Sequence, residues 1–284
     1  MIFRALQFIV VCALFATTAQ AGEVQRHELA SKLLGRNYAF TIYVPEGYQQ
    51  SSTNYPVLYL LHGSVGGETD WVERGHVNTT ADSLIANKQI PPMLIVMPGH
   101  SRSWWADGND EPAESVLLKE LLPHVENNFR TINQREGRAV AGLSAGGFGT
   151  VNLTLRYPQL FAAGAALSPA VYKDLPPETS SANRHAVFQI DGKLDPATWR
   201  RLNWPSFIDQ YMAQETVVPL YINSGDHDRL DIAYHAAYFY QYLRNHQPEH
   251  IEFRVVDGDH EWDVWAGTIG DALQFVGKYL SNPK

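Results

Sequence analysis

Residues 138–147 decide the fold, and they read RAVAGLSAGG. Gly142, Ser144 and Gly146 form one Gly-x-Ser-x-Gly pattern in this stretch. The residues before the serine predict a strand and the small residues after it predict the start of a helix, a setting in which a serine serves as nucleophile. We predict a tight turn that strains the backbone of Ser144, with the two glycines relieving the crowding; a purely structural turn rich in Gly and Ser is the alternative.

Short apolar runs recur along the chain, and each is followed at once or after one residue by Gly, Pro, Ser or Asn. Such runs are typical of parallel strands covered by helices on both faces. Strand-like segments lie at residues 38–44, 57–61, 93–97, 139–141, 162–167, 219–222 and 251–256, and helical segments lie at 80–87, 114–127, 145–157, 228–245 and 263–280. The alternation predicts an α/β fold with a mostly parallel central sheet and right-handed crossovers. Pro123 is expected to kink the helix over 114–127 or to mark its second start.

One segment, residues 170–212, breaks this alternation with several prolines and tryptophans. We predict that it is an excursion lying over the top of the sheet, where it walls a pocket. Residues 22–284, with this excursion included, are predicted to form a single domain, since one α/β domain commonly reaches that size.

Composition excludes several classes of function. The chain has 284 residues, of which 45% are hydrophobic and 18% are charged, and its formal charge is -8 without a basic run. Nucleic acids and anionic membranes are therefore not expected as partners, because both require clustered Lys and Arg. The His, Asp and Glu residues show no metal-ligand spacing, so neither a metal nor another cofactor is predicted.

The first 21 residues resemble a secretory signal peptide. Arg4 supplies the positive charge, residues 8–15 are apolar, and Ala19-Gln20-Ala21 is a small-x-small cleavage site. We therefore predict export to the periplasm or the medium, with Gly22 as the first mature residue. Cys12 is the single cysteine and would be removed, which excludes disulfides and a cysteine nucleophile.

A serine hydroxyl is a weak nucleophile, so a base must lie within hydrogen-bond reach and a third group must orient that base. In the α/β-hydrolase fold the order along the chain is serine, acid and histidine, each on a loop after a strand. Among eleven histidines, His260 follows the strand-like residues 251–256 and precedes the last helix, which makes it the predicted base. The loop after residues 219–222 offers two acids; Asp228 is preferred, and Asp226 remains open.

Acyl transfer also requires N–H donors for the oxyanion that forms. The residue after the nucleophile, Ala145, is one predicted donor. The glycine-rich loop at residues 63–67 suggests Ser64 as the second, and it lacks the Lys-Ser/Thr ending of a phosphate-binding loop. Tryptophan faces stack on aryl groups and sugar rings. We predict that Trp105 and Trp265 bind substrate, with packing in the core as the alternative for these and for Trp104, Trp199, Trp204 and Trp262.

A series of motifs occurs in a characteristic order: Leu61-His62-Gly63 with Gly66-Gly67 and Asp70-Trp71, residues 92–98 and 141–147, Gly225 and Asp228, and Gly258-Asp259-His260 with Trp265. In these motifs the chain resembles the Putative esterase family, which is similar to esterase D and includes feruloyl, acetyl xylan and enterochelin esterases and mycolyltransferases. The resemblance covers roughly residues 39–277 and leaves residues 172–210 without an alignable motif. It implies an α/β-hydrolase with Ser144, Asp228 and His260 as triad and Ala145 and Ser64 as oxyanion donors.

These predictions describe a serine carboxylic ester hydrolase that acts through an acyl-enzyme on small acyl or aryl esters, including feruloyl or acetyl esters of sugars. Three alternatives remain open. The first is an acyltransferase that passes the acyl group to a sugar hydroxyl, as in a mycolyltransferase. The second is a non-catalytic binding protein that retains the fold, and the third is a peptidase, although the length is expected to leave no room for the extra domain usual in such relatives.

Overall fold

The computed structural model describes residues 21–100 and 103–284. The predicted signal peptide lies outside the described residues except for Ala21. Within the described ranges, no helix has the length and apolar character needed to span a bilayer.

A central sheet of eight strands organises the chain, and two further short strands form a hairpin. The order across the sheet is β1-β2-β4-β3-β5-β6-β9-β10, with β1 and β2 antiparallel to their neighbours and the other pairs parallel. The strands are β1 Glu23–Ser31, β2 Arg36–Val44, β3 Val57–Leu61, β4 Leu94–Pro98, β5 Arg138–Leu143, β6 Ala163–Leu167, β7 Gln189–Ile190, β8 Lys193–Leu194, β9 Leu220–Gly225 and β10 Ile251–Val256.

Helices cover both faces of this sheet. They are α1 Asp70–Glu73, α2 Val77–Ala86, α3 Ala113–Val116, α4 Leu122–Asn128, α5 Ala145–Arg156, α6 Pro196–Leu202, α7 Ile208–Met212, α8 Ile232–Arg244 and α9 Trp262–Gly277. Side chains of one strand alternate between the faces: Leu58 and Leu60 pack with α2 and α9, whereas Tyr59 packs with α3 and α4 on the opposite face. Because both faces of the central strands are buried under helices, these strands read as continuous apolar runs.

The predicted α/β-hydrolase fold is confirmed, with one difference. This is β1, an antiparallel edge strand that the sequence pattern did not reveal because most of its side chains are polar and exposed. Pro123 marks a second helix start, as predicted, since it lies in the first turn of α4. A wide turn over Leu117–Leu121 joins α3 to α4, and the N–H of Leu122 bonds to the carbonyl of Leu117. The wide turn precedes the proline, whose missing N–H would leave one carbonyl of a regular helix unpaired.

The segment 170–212 contains β7, β8, α6 and α7. Its largest aromatic side chains point inward, since Trp199 and Trp204 are buried in a cluster with Phe148 of α5 and Phe239 of α8. The segment thus has a packed base of its own, and its residues Thr179, Ser181 and Arg184 reach the cavity described below.

Candidate active site

Ser144 lies between β5 and α5 with φ 53° and ψ -112°, a conformation that is costly for a residue with a Cβ atom. Its N–H bonds to the Leu167 carbonyl of β6 at 2.9 Å. The turn requires a close approach of backbones, since a Cβ atom on Gly146 would lie 2.5 Å from the carbonyl oxygen of Leu61. The elbow therefore projects the serine side chain at the carboxyl edge of the sheet.

Three predicted side chains meet at this edge. The Oγ atom of Ser144 lies 2.8 Å from Nε2 of His260, and Nδ1 of His260 lies 2.7 Å from Oδ2 of Asp228. The Asp228 side chain is fully buried, and the His260 ring is 8% exposed. A buried carboxylate at Nδ1 selects the tautomer with the proton on that nitrogen, which leaves Nε2 free to accept the serine proton.

The other candidate acid points elsewhere. Asp226 is 45% exposed, and its Oδ1 atom accepts the N–H of Gly258 at 3.1 Å and contacts Nδ1 of His227 at 2.8 Å. The structure therefore brings Asp228, and not Asp226, to the histidine that contacts Ser144.

The predicted oxyanion loop, residues 63–67, leaves the end of β3 beside Ser144. A Cβ atom on Gly63 would lie 3.6 Å from the Cβ atom of Ser144. Ser64, next along the loop, is half-buried and lines the same cavity as Ser144. On the other side of the serine, Ala145 is the first residue of α5, and the first N–H groups of a helix have no acceptor within it. Both predicted donors thus belong to segments that border the serine.

The buried ring of His62 holds the start of this loop by hydrogen bonds. Its Nδ1 atom donates to the Gly63 carbonyl at 2.7 Å and its Nε2 atom accepts the N–H of His100 at 3.1 Å. Burial lowers the pKa of His62 to about 4, so the ring is neutral at physiological pH. The indole N–H of Trp71 donates to the Leu61 carbonyl, and the indole N–H of Trp105 donates to the His62 carbonyl.

A cavity of about 680 Å³ opens above the serine. It is large enough for an acyl group with part of its alcohol. Its lining consists of Gly63, Ser64, Val65, Gly66, Asp70, Arg74, Leu143, Ser144, Thr179, Ser181, Arg184, Arg229, Leu230, His260, Glu261, Trp262 and Trp265.

The two tryptophans predicted to bind substrate lie in different places. Trp265 borders the cavity, stands edge-on to His260 with ring centroids 5.0 Å apart, and donates its indole N–H to Ser168 Oγ at 3.1 Å. Trp105, in contrast, is 1% exposed, packs in the core beside His62 and is not part of the cavity wall. Its placement corrects the prediction: the ring supports the oxyanion loop rather than the pocket. Of the remaining tryptophans, Trp262 lines the cavity, whereas Trp104, Trp199 and Trp204 are buried.

Several cavity residues were not predicted from the sequence. They include three arginines, of which Arg229 is paired with Asp259 at 2.9 Å and Arg74 lies 4.8 Å above the ring of Trp262. Arg184, Thr179 and Ser181 come from the excursion. No spacing pattern ties these residues to the serine, so only the folded chain reveals their position.

The fold places the chain among the α/β-hydrolases. More specifically, the chain belongs to the family described as "Putative esterase", whose model matches residues 31–276.

Individual relatives agree with this assignment. The chain is 35% identical over 160 residues to an endo-1,4-beta-xylanase/feruloyl esterase of Xylanibacter ruminicola, which covers 53% of this chain but only 22% of that protein. It is 23% identical to an acetyl esterase of Caldicellulosiruptor saccharolyticus over 87% of this chain and 96% of that one. A solved ferulic acid esterase superposes with a TM-score of 0.78 at 29% identity, covering 92% of this chain and 99% of its own.

Proposed function

We propose that the protein is a serine carboxylic ester hydrolase in which Ser144 is the nucleophile, His260 the base and Asp228 the residue that orients the base. The observation that carries the proposal is the continuous hydrogen-bonded chain from Asp228 through His260 to Ser144, with distances of 2.7 and 2.8 Å, at the floor of an open cavity.

The chemistry follows from this geometry. Ser144 Oγ attacks the ester carbonyl while Nε2 of His260 takes its proton, and the resulting oxyanion is stabilised by the N–H groups of Ala145 and Ser64. The C–O bond to the alcohol then breaks, the alcohol leaves with the proton from His260, and an acyl-serine remains. Water, deprotonated by the same ring, attacks the acyl-serine. The C–O bond to Ser144 Oγ then breaks, His260 returns the proton to that oxygen, and the acid is released. The carboxylate of Asp228 stabilises the imidazolium that forms in both halves.

For the substrate, we propose small acyl or aryl esters, including feruloyl or acetyl esters of sugars. The aromatic side chains of Trp262 and Trp265, which border the cavity, support an aryl acyl group, because aromatic rings pack well on one another. The relatives named for feruloyl and acetyl esters point to the same two acyl groups.

A panel of esters tests the proposal. Wild type and Ser144→Ala are assayed with p-nitrophenyl esters of rising chain length and with methyl ferulate, and Ser281→Ala serves as the matched control distant from the site. We expect Ser144→Ala to lose at least about a thousandfold in kcat on every ester and Ser281→Ala to keep full activity. Residual activity in Ser144→Ala close to wild type would exclude the serine mechanism.

Product analysis separates hydrolysis from acyl transfer. With methyl ferulate and a free sugar present together, the proposal predicts ferulic acid as the product. A feruloylated sugar as the main product would identify an acyltransferase that uses the same acyl-serine.

We further propose that the protein is exported. The support is the charged, apolar and small-x-small pattern of residues 1–21. Amino-terminal sequencing of the protein from a periplasmic or medium fraction is expected to begin at Gly22; full-length protein retained in the cytosol would contradict the proposal.

A further inference from the structure

A hydrogen bond connects the excursion to the oxyanion loop. Nε2 of His185 lies 2.6 Å from Oγ of Ser64, although the two residues are 121 positions apart in the chain. Both side chains are half-buried, so the bond is partly shielded from water.

The backbone of His185 is held by hydrogen bonds and by buried neighbours. Its backbone N–H bonds to the Ala182 carbonyl at 3.4 Å, and its own carbonyl accepts the N–H of Phe188 at 3.1 Å. Ala182, Val187 and Phe188, on either side of it, are fully buried. They belong to the hydrophobic cluster that also contains Ala145 and Phe148 of α5. The bond from His185 therefore ties Ser64 to the same cluster that fixes Ala145, the other proposed oxyanion donor.

The loop needs such a tie at Ser64. Its two ends are held by hydrogen bonds, from His62 to the Gly63 carbonyl at 2.7 Å and from the Gly67 N–H to Asp70 at 3.1 Å. Between these anchors, Val65 adopts φ 57°, a strained value for a β-branched residue, and is 80% exposed. Packing of Val65 thus contributes little to holding the middle of the loop.

We propose that His185 is a positioning residue for the oxyanion hole: by binding the hydroxyl of Ser64, it aims the Ser64 N–H at the oxygen that becomes negatively charged. This inference rests on the proposed serine mechanism. His185 is not part of the wall of the cavity above Ser144, so it acts through Ser64. The excursion, in addition to walling the cavity, thereby sets the geometry of the transition-state site.

Steady-state kinetics with p-nitrophenyl acetate test the proposal in four variants. His185→Ala removes the ring, and Ser64→Ala removes the hydroxyl but keeps the backbone N–H. We expect each to lower kcat about tenfold with KM within about twofold of wild type, because the lost interaction acts in the transition state. The double variant is expected to be no worse than either single variant, since both remove the same bond. His185→Gln, whose amide reaches the position of Nε2, is expected to recover most of the lost kcat.

A second measurement uses a transition-state analogue. Phenylboronic acid forms a tetrahedral anionic adduct with an active-site serine, so its inhibition constant should rise about tenfold in His185→Ala and Ser64→Ala. Glu178→Ala, an exposed change in the same excursion that lies outside the cavity wall, is the control and should match wild type in both assays.

Three results would overturn the inference. The first is a kcat for His185→Ala within about twofold of wild type. The second is multiplication of the two single losses in the double variant, which would make them independent. The third is a loss that His185→Gln fails to recover and that accompanies a lower melting temperature, which would assign His185 to folding alone. If any of these occurs while Ser144→Ala is inactive, only the role of His185 fails; an active Ser144→Ala removes the proposed function itself.

Discussion

The Oδ1 atom of Asp259 accepts hydrogen bonds from two backbone N–H groups, that of Arg229 at 2.8 Å and that of His260 at 2.6 Å. Arg229 follows Asp228 directly, so one carboxylate joins the loop of the acid to the loop of the base. These hydrogen bonds lower the pKa of Asp259 to about 2. The carboxylate therefore stays ionised and able to accept both hydrogen bonds across the neutral range.

Removal of the Asp259 carboxylate is predicted to slow catalysis. In Asp259→Ala, the loops bearing Asp228 and His260 lose their common acceptor, and we expect kcat to fall about tenfold with little change in KM. The matched control is Asp257→Ala in the same turn, where the side chain is 99% exposed. Equal kcat values for the two variants on p-nitrophenyl acetate would show that the shared acceptor has no part in aligning the triad.

The two acids of the same loop are predicted to differ sharply. Asp228→Asn keeps the shape but no longer selects the reactive tautomer of His260, so kcat should fall on the order of 10⁴-fold. Asp226→Asn should stay within about fivefold of wild type, because this exposed side chain contacts His227 and the Gly258 N–H instead. Burst and steady-state kinetics distinguish them; the reverse ranking would move the acid role to Asp226.

Substitution of glycine by alanine is predicted to destabilise the protein at Gly146 in the elbow and to stabilise it at Gly267 in α9. A Cβ atom in Gly146→Ala would meet the carbonyl oxygens of Leu61 and His62 at 2.5 and 2.6 Å, and neither can retreat. The free energy of unfolding should therefore fall by at least about 2 kcal/mol. Gly267, inside α9, has no atom within 4 Å of its Cβ position, and Gly267→Ala should raise the free energy of unfolding by about 0.5–1 kcal/mol. Urea denaturation measures both; a stable Gly146→Ala would contradict the packing at the elbow.

The sequence predicted the centre of the fold better than its edges, for physical reasons. The runs that became β3, β4 and β5 are buried on both faces, so every residue carries the apolar signal. Edge strand β1 meets water along most of its length and therefore carries no such signal.

The residues of the site also differ in how well the sequence predicts their positions. The positions of Ser144 and His260 follow from chain order, because the sheet brings the ends of its parallel strands to one edge. The contact between Ser64 and His185 depends on the conformations of two loops far apart in the chain, and no local pattern encodes it. Trp105 was misplaced because a tryptophan is equally suited to a core and to a pocket wall.

The buried ring of His62 predicts a specific dependence of stability on pH. Burial lowers the pKa of His62 to about 4, whereas a histidine in the unfolded chain titrates near pH 6.5. Between these values the unfolded state binds a proton that the folded state does not, so the contribution of His62 is complete above pH 6.5 and is lost as the pH falls toward 4. From pH 7 to pH 5 the loss is about 2 kcal/mol.

We therefore expect the free energy of unfolding of His62→Gln to be lower than that of wild type at pH 7, where the hydrogen bond to the Gly63 carbonyl is lost, but to decline less steeply toward pH 5. Urea denaturation at both pH values should give a wild-type decline that exceeds that of the variant by about 2 kcal/mol. His250→Gln, at an exposed histidine, should decline in parallel with wild type. Parallel declines of wild type and His62→Gln would mean that the ring takes up its proton in the folded state as readily as in the unfolded chain, which its burial beneath the oxyanion loop should prevent.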